Sequence, residues 1–532
     1  MSIEIALAAP HPSALDAAAD IVAAGGGVVD AALAAAAALT VAYPHQCSAG
    51  GDLIALVRTP DDRVRAVLSV GAAAAGVDVA ALRAAADRMP PGGPLTVTVP
   101  GVVAGWAALA DLGGRLPLAR VLAPAVELAA GGVPVSPGLA AAILRRLDVV
   151  RADPGLAALL LDGDGTPLPA GAVLRQPALA RTLGTIGADW RDYYQGELAE
   201  TLAAGLAALG SPLTTADLAG HSAEVTDPLR YAAAGSEVTW SVAPPPSQGA
   251  TLLAMLAAAG RTAAGRTAAG RTAAGDPAAS RATNVWPADA AAALATARTA
   301  EQRRDTLLGD PRIGPVDLDG LLLRTDPPAG PLPPPGPKPA GDTVAVTAVG
   351  NDGTTVTLIQ SVFQTFGAGI CEPGTGLVLH NRGSVFSLDP AHPGRLRPGA
   401  RPPHTLCPAI ATGPARVVAL GCQGGRAQPW ILAQVAADAL TTADPAGLLA
   451  RPRWVIGARD VGQDRPSLLL EPDTPATDTL RAAATDLNLR VVQLPQRHDD
   501  AGHVQLARLT PAGLDAASDP RADGAARVLR GH

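Results

Sequence analysis

The spacing of apolar residues near the amino terminus predicts two helices followed by a pair of strands. Residues 13 to 41 carry Ala, Val and Leu at helical spacing, with one break at the glycine triplet of residues 25 to 27. Residues 53 to 68 alternate around the acidic pair at 61 and 62, which is typical of a strand hairpin. The most apolar stretch, residues 31 to 41, is about half as long as a membrane span and is interpreted as a core helix.

Further along the chain the pattern predicts a mixed α/β core. Residues 95 to 99 alternate like a strand, and most segments between residues 118 and 218 have a helical period. Alternation returns at residues 343 to 349 and again at 354 to 362, with a tight Asn-Asp-Gly turn at 351 to 353. A second hairpin is therefore predicted at this point.

Two segments are poor candidates for packed structure. Residues 258 to 275 contain a threefold GRTAA repeat and are interpreted as a low-complexity surface insertion. Residues 325 to 341 are dense in proline, which neither continues a helix nor enters a sheet interior, so an extended, exposed tether is predicted. The tether separates a region of residues 1 to 342 from a region of residues 343 to 532. A tether that runs directly into a buried strand is unusual unless the junction is cut.

Composition and charge narrow the class of partner. A chain of 532 residues buries enough surface for one large core or two ordinary ones, so stability does not require metals or disulfides. The formal net charge of −7 leaves no basic face for nucleic acid, which favours a small-molecule partner. The cysteines form no CxxC pair, so neither a zinc knuckle nor a disulfide framework is indicated; they are Cys47, Cys371, Cys407 and Cys422.

The sequence predicts no cofactor and no metal. The histidines are dispersed without an HxxxH or HExxH pattern, and the glycine-rich segments match neither GxGxxG nor a P-loop. The amino terminus does not resemble a secretory signal, so a cytoplasmic location without a membrane partner is expected. The sequence leaves the oligomeric state open, and a homo-oligomer is compatible with it.

Thr343 is the first candidate for chemistry, because it stands where the proline-rich tether ends and a strand begins. If the chain is cut before Thr343, this residue gains a free α-amine next to its own hydroxyl. A threonine hydroxyl alone is a weak nucleophile, but an N-terminal amine, with a reference pKa of about 8, can accept its proton. The pattern alone leaves a simpler interpretation open, in which Thr343 is a β-branched strand residue.

A colinear series of segments resembles the γ-glutamyltransferase (glutathione hydrolase-like) family over nearly the whole chain. At the tether junction, GDTV and the following IQSVFQTFGAGICEPGTG resemble the start of that family's small chain. Their common order makes the resemblance specific. Other matching segments are GGGVVDAALAAAAALTVAYPH (25 to 45), SAGGDLIALV (48 to 57), TVPGVVAGW (98 to 106), PPPSQGATLLAML (244 to 256), GLVLHNRGSVFSLDP (376 to 390) and GCQGGRAQPW (421 to 430).

The resemblance implies an α+β fold, the four-layer αββα sandwich of N-terminal-nucleophile hydrolases, and self-cleavage between Asp342 and Thr343 into a large and a small chain that stay together. It implies that Thr343 attacks a small-molecule amide, forms an acyl-enzyme and passes the acyl group to water or to an amine. Ser361 matches a hydroxyl beside the nucleophile, and Gly424 and Gly425 match glycines whose N–H groups hold the oxyanion. Without the resemblance, these three residues would be an ordinary strand serine and an ordinary turn.

The resemblance also implies a set of substrate-binding residues. Asn381 and Arg382 stand where the family holds the amino-acid head group of the substrate, and the fork of an arginine suits a carboxylate. His404 and Thr405 stand where family members have a hydroxyl pair that lines the pocket. On their own, the Asn-Arg-Gly sequence also fits a turn, and His404 fits a structural histidine.

The sequence lacks two charged groups that specific γ-glutamyl enzymes use. Residues 69 to 76 contain no arginine to pair with a substrate α-carboxylate, and Val385 occupies the position of the acid that takes the α-ammonium group. Losing a charged partner of a desolvated zwitterion costs on the order of several kcal/mol. The substrate therefore stays open between a γ-glutamyl compound such as glutathione, a related carboxylate-bearing amide of the oxamate type, and a specialised metabolite. A further alternative is an unprocessed, non-catalytic homologue that acts as a binding protein.

Overall fold

Two stacked antiparallel sheets form the centre of the molecule. The structure, a computed structural model, describes residues 3 to 270, 289 to 325, 342 to 456 and 466 to 531, with the backbone alone for 262 to 270. The described strands, numbered in chain order, are β1 (Glu4–Ala9), β2 (Asp52–Arg58), β3 (Val64–Ser69), β4 (Val133–Pro134), β5 (Val173–Leu174), β6 (Glu224–Thr226), β7 (Leu229–Ala232), β8 (Thr239–Val242), β9 (Asp342–Gly350), β10 (Thr355–Phe363), β11 (Cys371–Glu372), β12 (Leu377–Val378), β13 (Ala409–Gly413), β14 (Arg416–Cys422), β15 (Trp454–Ile456), β16 (Ser467–Leu470), β17 (Arg490–Gln493), β18 (Val504–Thr510), β19 (Gly513–Ser518) and β20 (Ala525–Arg530).

The first sheet has seven strands in the order β20-β1-β9-β10-β2-β3-β6, and the second has six in the order β19-β18-β14-β13-β8-β7.

The described α-helices, also in chain order, are α1 (Pro12–Ala23), α2 (Val28–Ala42), α3 (Val79–Ala85), α4 (Val102–Gly113), α5 (Leu118–Gly131), α6 (Pro137–Arg145), α7 (Leu147–Ala152), α8 (Pro154–Leu160), α9 (Pro177–Ala188), α10 (Asp192–Gln195), α11 (Glu197–Ala208), α12 (Thr215–Ala219), α13 (Gly249–Gly270), α14 (Ala290–Leu307), α15 (Leu318–Leu321), α16 (Gln428–Ala439), α17 (Pro445–Leu449) and α18 (Thr477–Asp486).

Helices cover the outer face of each sheet, so the predicted four-layer αββα sandwich is confirmed. The side chains of α1, α2, α4 and α5 form one core with the outward-facing residues of the first sheet. Residues of α13, α14 and α16 form another core on the outer face of the second sheet. A third cluster fills the space between the sheets and includes Ile54, Ile359 and Ile410. The inner faces of both sheets are therefore closed to solvent over most of their area.

The central helix α2 is buried along its whole length, as the alanine-rich sequence predicts. Its small side chains permit close approach to the sheet, and its first turn is fixed by the fully buried Asp30. This carboxylate accepts hydrogen bonds from Gly27 N (2.7 Å) and from the backbone N–H groups of Arg115 and Leu116. The glycine break predicted from the sequence is thus a helix start that is anchored to a distant loop.

The two predicted hairpins are present, but the predicted strand at residues 95 to 99 is wrong. The first hairpin is β2–β3 and the second is β9–β10. Residues Pro94–Thr96 instead form a 3₁₀ turn, and the extended segment after it bonds from Val99 N to Ala72 O without forming a ladder. The proline at its start favours the turn, and alternation over so few residues does not create a pairing partner.

The low-complexity segment divides into a helical part and a part outside the described residues. Helix α13 continues through residues 258 to 270, so the start of the predicted insertion is helical, in line with the high helix propensity of Ala and Arg. Residues 271 to 275 lie outside the described residues, as does the predicted tether from residue 326 to 341. All four cysteines are free and buried. No described helix is both long and apolar enough to cross a membrane.

Gln360 fixes which face of β10 is turned towards the helical layer. Its side chain points into the helical layer, where Nε2 donates to Ala36 O of α2 (2.8 Å) and Oε1 accepts from Trp106 Nε1 of α4 (3.1 Å). Because side chains alternate along a strand, the next residue, Ser361, is directed to the space between the sheets. The two hydrogen bonds of Gln360 to α2 and α4 therefore set the register of β10 and hold Ser361 on the inner face of the sheet.

We expect Gln360→Leu to destabilise the protein, because it leaves the buried Trp106 N–H and one lone pair of Ala36 O without partners. An unpaired buried polar group costs about 1–3 kcal/mol. The matched control is Gln195→Leu at an exposed helix end, which should change the melting temperature little. Thermal unfolding of both variants checks the prediction, and equal melting temperatures would contradict it.

Candidate active site

Three adjacent strands of the first sheet present a row of polar side chains to the space between the sheets. Asp52 of β2 is the Cα partner of Ser361 in β10, and the hydroxyl of Ser361 lies 3.1 Å from that of Thr343 in β9. All three side chains are at most 1% exposed. In each strand, the residue two positions away from the polar one lies in the apolar core between the sheets, so the three polar side chains face the same space. These apolar residues are Ile54, Ile359 and Ala345.

The hydroxyl of Ser361 links Thr343 to the carbonyl that precedes it. Thr343 Oγ1 donates to Ser361 Oγ (3.1 Å), which in turn donates to the carbonyl oxygen of Asp342 (2.6 Å). Ser361 Oγ also accepts from Phe363 N (2.8 Å), so the donor and both lone pairs of this hydroxyl are used. Phe363 adopts a left-handed backbone with φ of 79°, at an irregularity in the β9–β10 pairing. This strained backbone conformation directs the N–H of Phe363 towards the Ser361 hydroxyl.

The side chain of Asp342 is held by residues that the sequence did not single out. Thr365 Oγ1 donates a short hydrogen bond to Asp342 Oδ2, and Gln423 Nε2 donates to Oδ1 (3.4 Å). His45 is close enough for the Asp342 charge to act on it, although burial has the larger effect and lowers the pKa of His45 to about 4. His45 is therefore a neutral imidazole at physiological pH.

The two glycines predicted to hold an oxyanion form a turn with positive φ at both positions, and the conformation of Gly424 suits no other residue type. Gly424 has φ of 145° and Gly425 has φ of 51°, and a Cβ on Gly424 would come within 2.6 Å of Ile431 Cδ1. The turn follows β14 directly. Because the neighbouring Gln423 contacts the Asp342 side chain, the turn lies beside the Asp342–Thr343 bond.

Arg382 is fully buried and only partly paired. Its Cζ lies 3.9 Å from the centroid of the Phe363 ring, and Nη1 donates to Thr405 Oγ1 (3.0 Å). Neither Nε nor Nη2 has a hydrogen-bond partner among the residues that the structure describes. Burial lowers the pKa of Arg382 to about 9, with Asp52 acting against this decrease and Arg304 adding to it. The guanidinium thus stays charged at neutral pH, with donors left for a carboxylate.

Asn381 braces the turn that carries Arg382. Its Oδ1 accepts from Gln364 N (3.1 Å), and its Nδ2 donates to Pro91 O (2.7 Å). Both ends of the amide are therefore bonded to backbone. A direct role of Asn381 in substrate binding stays a prediction.

Asp52 organises two buried histidines, one of which was predicted to bind substrate. Its Oδ2 lies 3.2 Å from His404 Nε2 and 3.4 Å from His380 Nδ1, and its Oδ1 accepts from Gly71 N (3.0 Å). Burial alone would raise the pKa of Asp52, but the charge of His380 and the hydrogen bonds from both histidines hold it well below its usual value. Burial, with help from Arg382, lowers the pKa of His404 to about 3, so His404 is neutral.

Gln248 connects the pieces of the site. Its Nε2 donates to the carbonyls of Thr405 and Gly425 (3.0 Å for the latter), which joins the segment that contacts Arg382 to the glycine turn. Sequence reasoning missed Gln248, Asp52 and His380. The one available signal was chemical: an acid at the start of an apolar strand, and a glutamine before an apolar helix, each require buried partners.

The structure brings the predicted residues into one neighbourhood. Thr343, Ser361 and Asp342 are joined by direct hydrogen bonds. Arg382 bonds to Thr405, His404 joins the row through Asp52, and Gln248 ties these to the glycine turn. The segment that lacks an arginine, residues 69 to 76, contributes the backbone N–H of Gly71 to Asp52 instead. Within the described ranges no group of three or more His, Cys, Asp or Glu side chains could hold a metal ion.

The αββα sandwich is the fold of the N-terminal-nucleophile class of hydrolases, and Thr343 lies buried on its inner face. The chain belongs to the gamma-glutamyltranspeptidase family, whose model matches residues 14–529. It is 38% identical to the oxamate amidohydrolase proenzyme of Klebsiella pneumoniae, over 97% of each chain. It is 30% identical to a glutathione hydrolase-like proenzyme of Bacillus subtilis, again over 97% of each.

Solved structures support the same fold. A cephalosporin acylase from Bacillus halodurans superposes with a TM-score of 0.82 at 28% identity, covering 99% of this chain and 96% of that one. Members of this family are amidohydrolases or acyl transferases that are made as proenzymes.

We expect Arg382→Met to raise the melting temperature, because it replaces a buried, incompletely paired charge with an apolar side chain of similar length. Such replacements stabilise proteins by about 1–4 kcal/mol in favourable cases. Arg401→Met is the matched control. Arg401 is equally buried but pairs with Asp310 (3.0 Å) and Glu224 (2.8 Å), so its removal should destabilise. If both variants lower the melting temperature alike, the guanidinium of Arg382 is satisfied within the fold.

Proposed function

We propose that this protein is an N-terminal threonine amidohydrolase that cuts itself between Asp342 and Thr343 and then hydrolyses a small amide of the oxamate type. The observation that carries the proposal is the buried Arg382, whose Nε and Nη2 have no partner within the described part of the chain. Arg382 lies over the ring of Phe363, and Phe363 is the β-ladder partner of Asp342. One aromatic residue therefore separates the guanidinium from the strand position that precedes the nucleophile.

This short separation favours a substrate in which the carboxylate is attached close to the amide carbonyl. Oxamate has this arrangement, and the similar Klebsiella protein carries the name of an oxamate amidohydrolase. A γ-glutamyl substrate would also need an acid for its α-ammonium group. Val385 stands at the position of that acid, and Asp52 is engaged by His380 and His404.

Self-cleavage would begin with attack of Thr343 Oγ on the carbonyl carbon of Asp342. Ser361 donates a hydrogen bond to the carbonyl oxygen under attack, and so favours the negative charge that develops there. The proton of the Thr343 hydroxyl passes to the departing nitrogen as the C–N bond breaks, which leaves Asp342 esterified to Thr343 Oγ and frees the α-amine of Thr343. Water then hydrolyses the ester, which releases the carboxylate of Asp342 and restores the hydroxyl.

Turnover would reuse the same hydroxyl, with the new α-amine as its base. The amine takes the proton of Thr343 Oγ as the oxygen attacks the substrate carbonyl, and the N–H groups of Gly424 and Gly425 receive the oxyanion. The proton passes to the departing amine as the C–N bond breaks, which leaves an acyl ester on Thr343. Water completes hydrolysis, and an amine in its place would complete a transfer.

We expect purified protein to release ammonia from oxamate with a kcat/KM about 30- to 1,000-fold higher than from oxamide, which differs by replacing the carboxylate with a neutral amide. Glutathione should be as poor a substrate as oxamide. The preference for oxamate should disappear in Arg382→Met, and Thr343→Ala should release no ammonia. Efficient hydrolysis of glutathione with no action on oxamate would contradict the proposed substrate class and favour the γ-glutamyl alternative.

A further inference from the structure

A second pair of arginines lies next to the proposed carboxylate site. Arg304, near the end of α14, donates through Nη1 to Asp305 Oδ1 (2.8 Å), and Arg426 makes a short ion pair with the same oxygen. Arg304 is 5% exposed and the Arg426 side chain 16%. In both residues Nε is a buried donor that no described residue accepts from.

The pair is tied to the catalytic region through the chain and through hydrogen bonds. Arg426 directly follows the glycine turn at residues 424 and 425. Gln248 bonds the carbonyls of Gly425 and Thr405, and Thr405 Oγ1 accepts from Arg382. The charge of Arg304 also acts on Arg382, whose pKa it helps to lower. The pair of Arg304 and Arg426 is therefore coupled to Arg382 by hydrogen bonds and by charge.

This pair carries an excess of positive charge. Both guanidinium groups share the carboxylate of Asp305, and Glu301, one turn earlier in the helix, is bonded to Arg298. Burial and the charge of Arg426 lower the pKa of Arg304 to about 10, with Asp305 and Glu301 acting in the opposite direction. Two like charges held around one carboxylate, each with an unused donor, form a site that a second anion would stabilise.

Gln248 supplies the complementary acceptor. Its Nε2 donates to two carbonyls, which fixes the orientation of the amide and leaves Oε1 buried without a hydrogen-bond partner among the described residues. This oxygen belongs to the side chain that joins the segment contacting Arg382 to the turn that leads to Arg426. An acceptor at this place suits the N–H of a secondary amide whose two ends lie on either side of it.

We infer that Arg304 and Arg426 form a second anion-binding subsite, which accepts a carboxylate on the amine side of the substrate. The inference rests on the proposed function and makes it more specific. An oxalyl group is too short to carry a second acid beyond the carboxylate at Arg382, so the second carboxylate belongs to the leaving amine. The substrate class is thus an N-oxalyl amino acid, a dianion that is cleaved to oxalate and an amino acid.

The test uses the self-cleaved wild-type protein, in which hydrolysis is measured as release of glycine or glycinamide. The probes are N-oxalylglycine and its glycinamide analogue, in which the second carboxylate is a neutral amide. The value of kcat/KM should be at least about tenfold higher for the dianion, equivalent to roughly 1.4 kcal/mol. Adding Arg426→Gln should reduce this ratio to near one, and Arg426→Lys should retain part of it. Arg63→Gln, at a residue with 79% side-chain exposure, is the control and should keep the full ratio.

The outcomes separate this inference from the proposed function. If oxamate binds and the wild type hydrolyses it, but the dianion has no advantage or Arg426→Gln leaves the ratio unchanged, then Arg304, Asp305 and Arg426 form a structural ion pair only. If the self-cleaved wild type hydrolyses neither oxamate nor N-oxalylglycine, the assignment of Arg382 to a carboxylate fails with it.

Discussion

The chain of hydrogen bonds from Thr343 through Ser361 to the Asp342 carbonyl is the constraint on which the rest of the site depends. It exists because β9 and β10 pair in a register that places both hydroxyls on the inner face of the first sheet. That register is held from the opposite face by Gln360, whose amide bonds two helices. As the proposed nucleophile, Thr343 needs such a frame, since a small displacement would separate its hydroxyl from the carbonyl of Asp342.

A buried charge costs stability unless it is paired. Arg382 has donors that the described residues leave unpaired, whereas the equally buried Arg401 is paired with two carboxylates. A fold selected for stability alone would not retain the first arrangement. A bound ligand explains such a residue better, because an anion that pairs with the arginine stabilises the folded protein when it binds. The same reasoning extends to Arg304 and Arg426, which share a single carboxylate.

The fold was largely predictable because its central elements carry local signals. Hairpins with acidic or glycine turns and an alanine-rich buried helix were readable from the sequence, and the order of the segments identified the family. The partners inside the site were not. His404 and Asp52 are 352 residues apart, and Gln248 meets Thr405 across 157. No local pattern encodes such pairs, since they arise only when distant strands are brought into one sheet. The misassigned strand at residues 95 to 99 has the same origin, because alternation does not supply a partner.

The proposed chemistry requires that Thr343 becomes an amino terminus. This requirement is tested most directly by the intact mass, under denaturing conditions, of the wild type and of Thr343→Ala. We expect two fragments for the wild type, one ending at Asp342 and one beginning at Thr343, and a single uncut chain for the variant. If both proteins remain whole, or both are cut elsewhere, the nucleophile is misassigned and a non-catalytic binding protein becomes the better description.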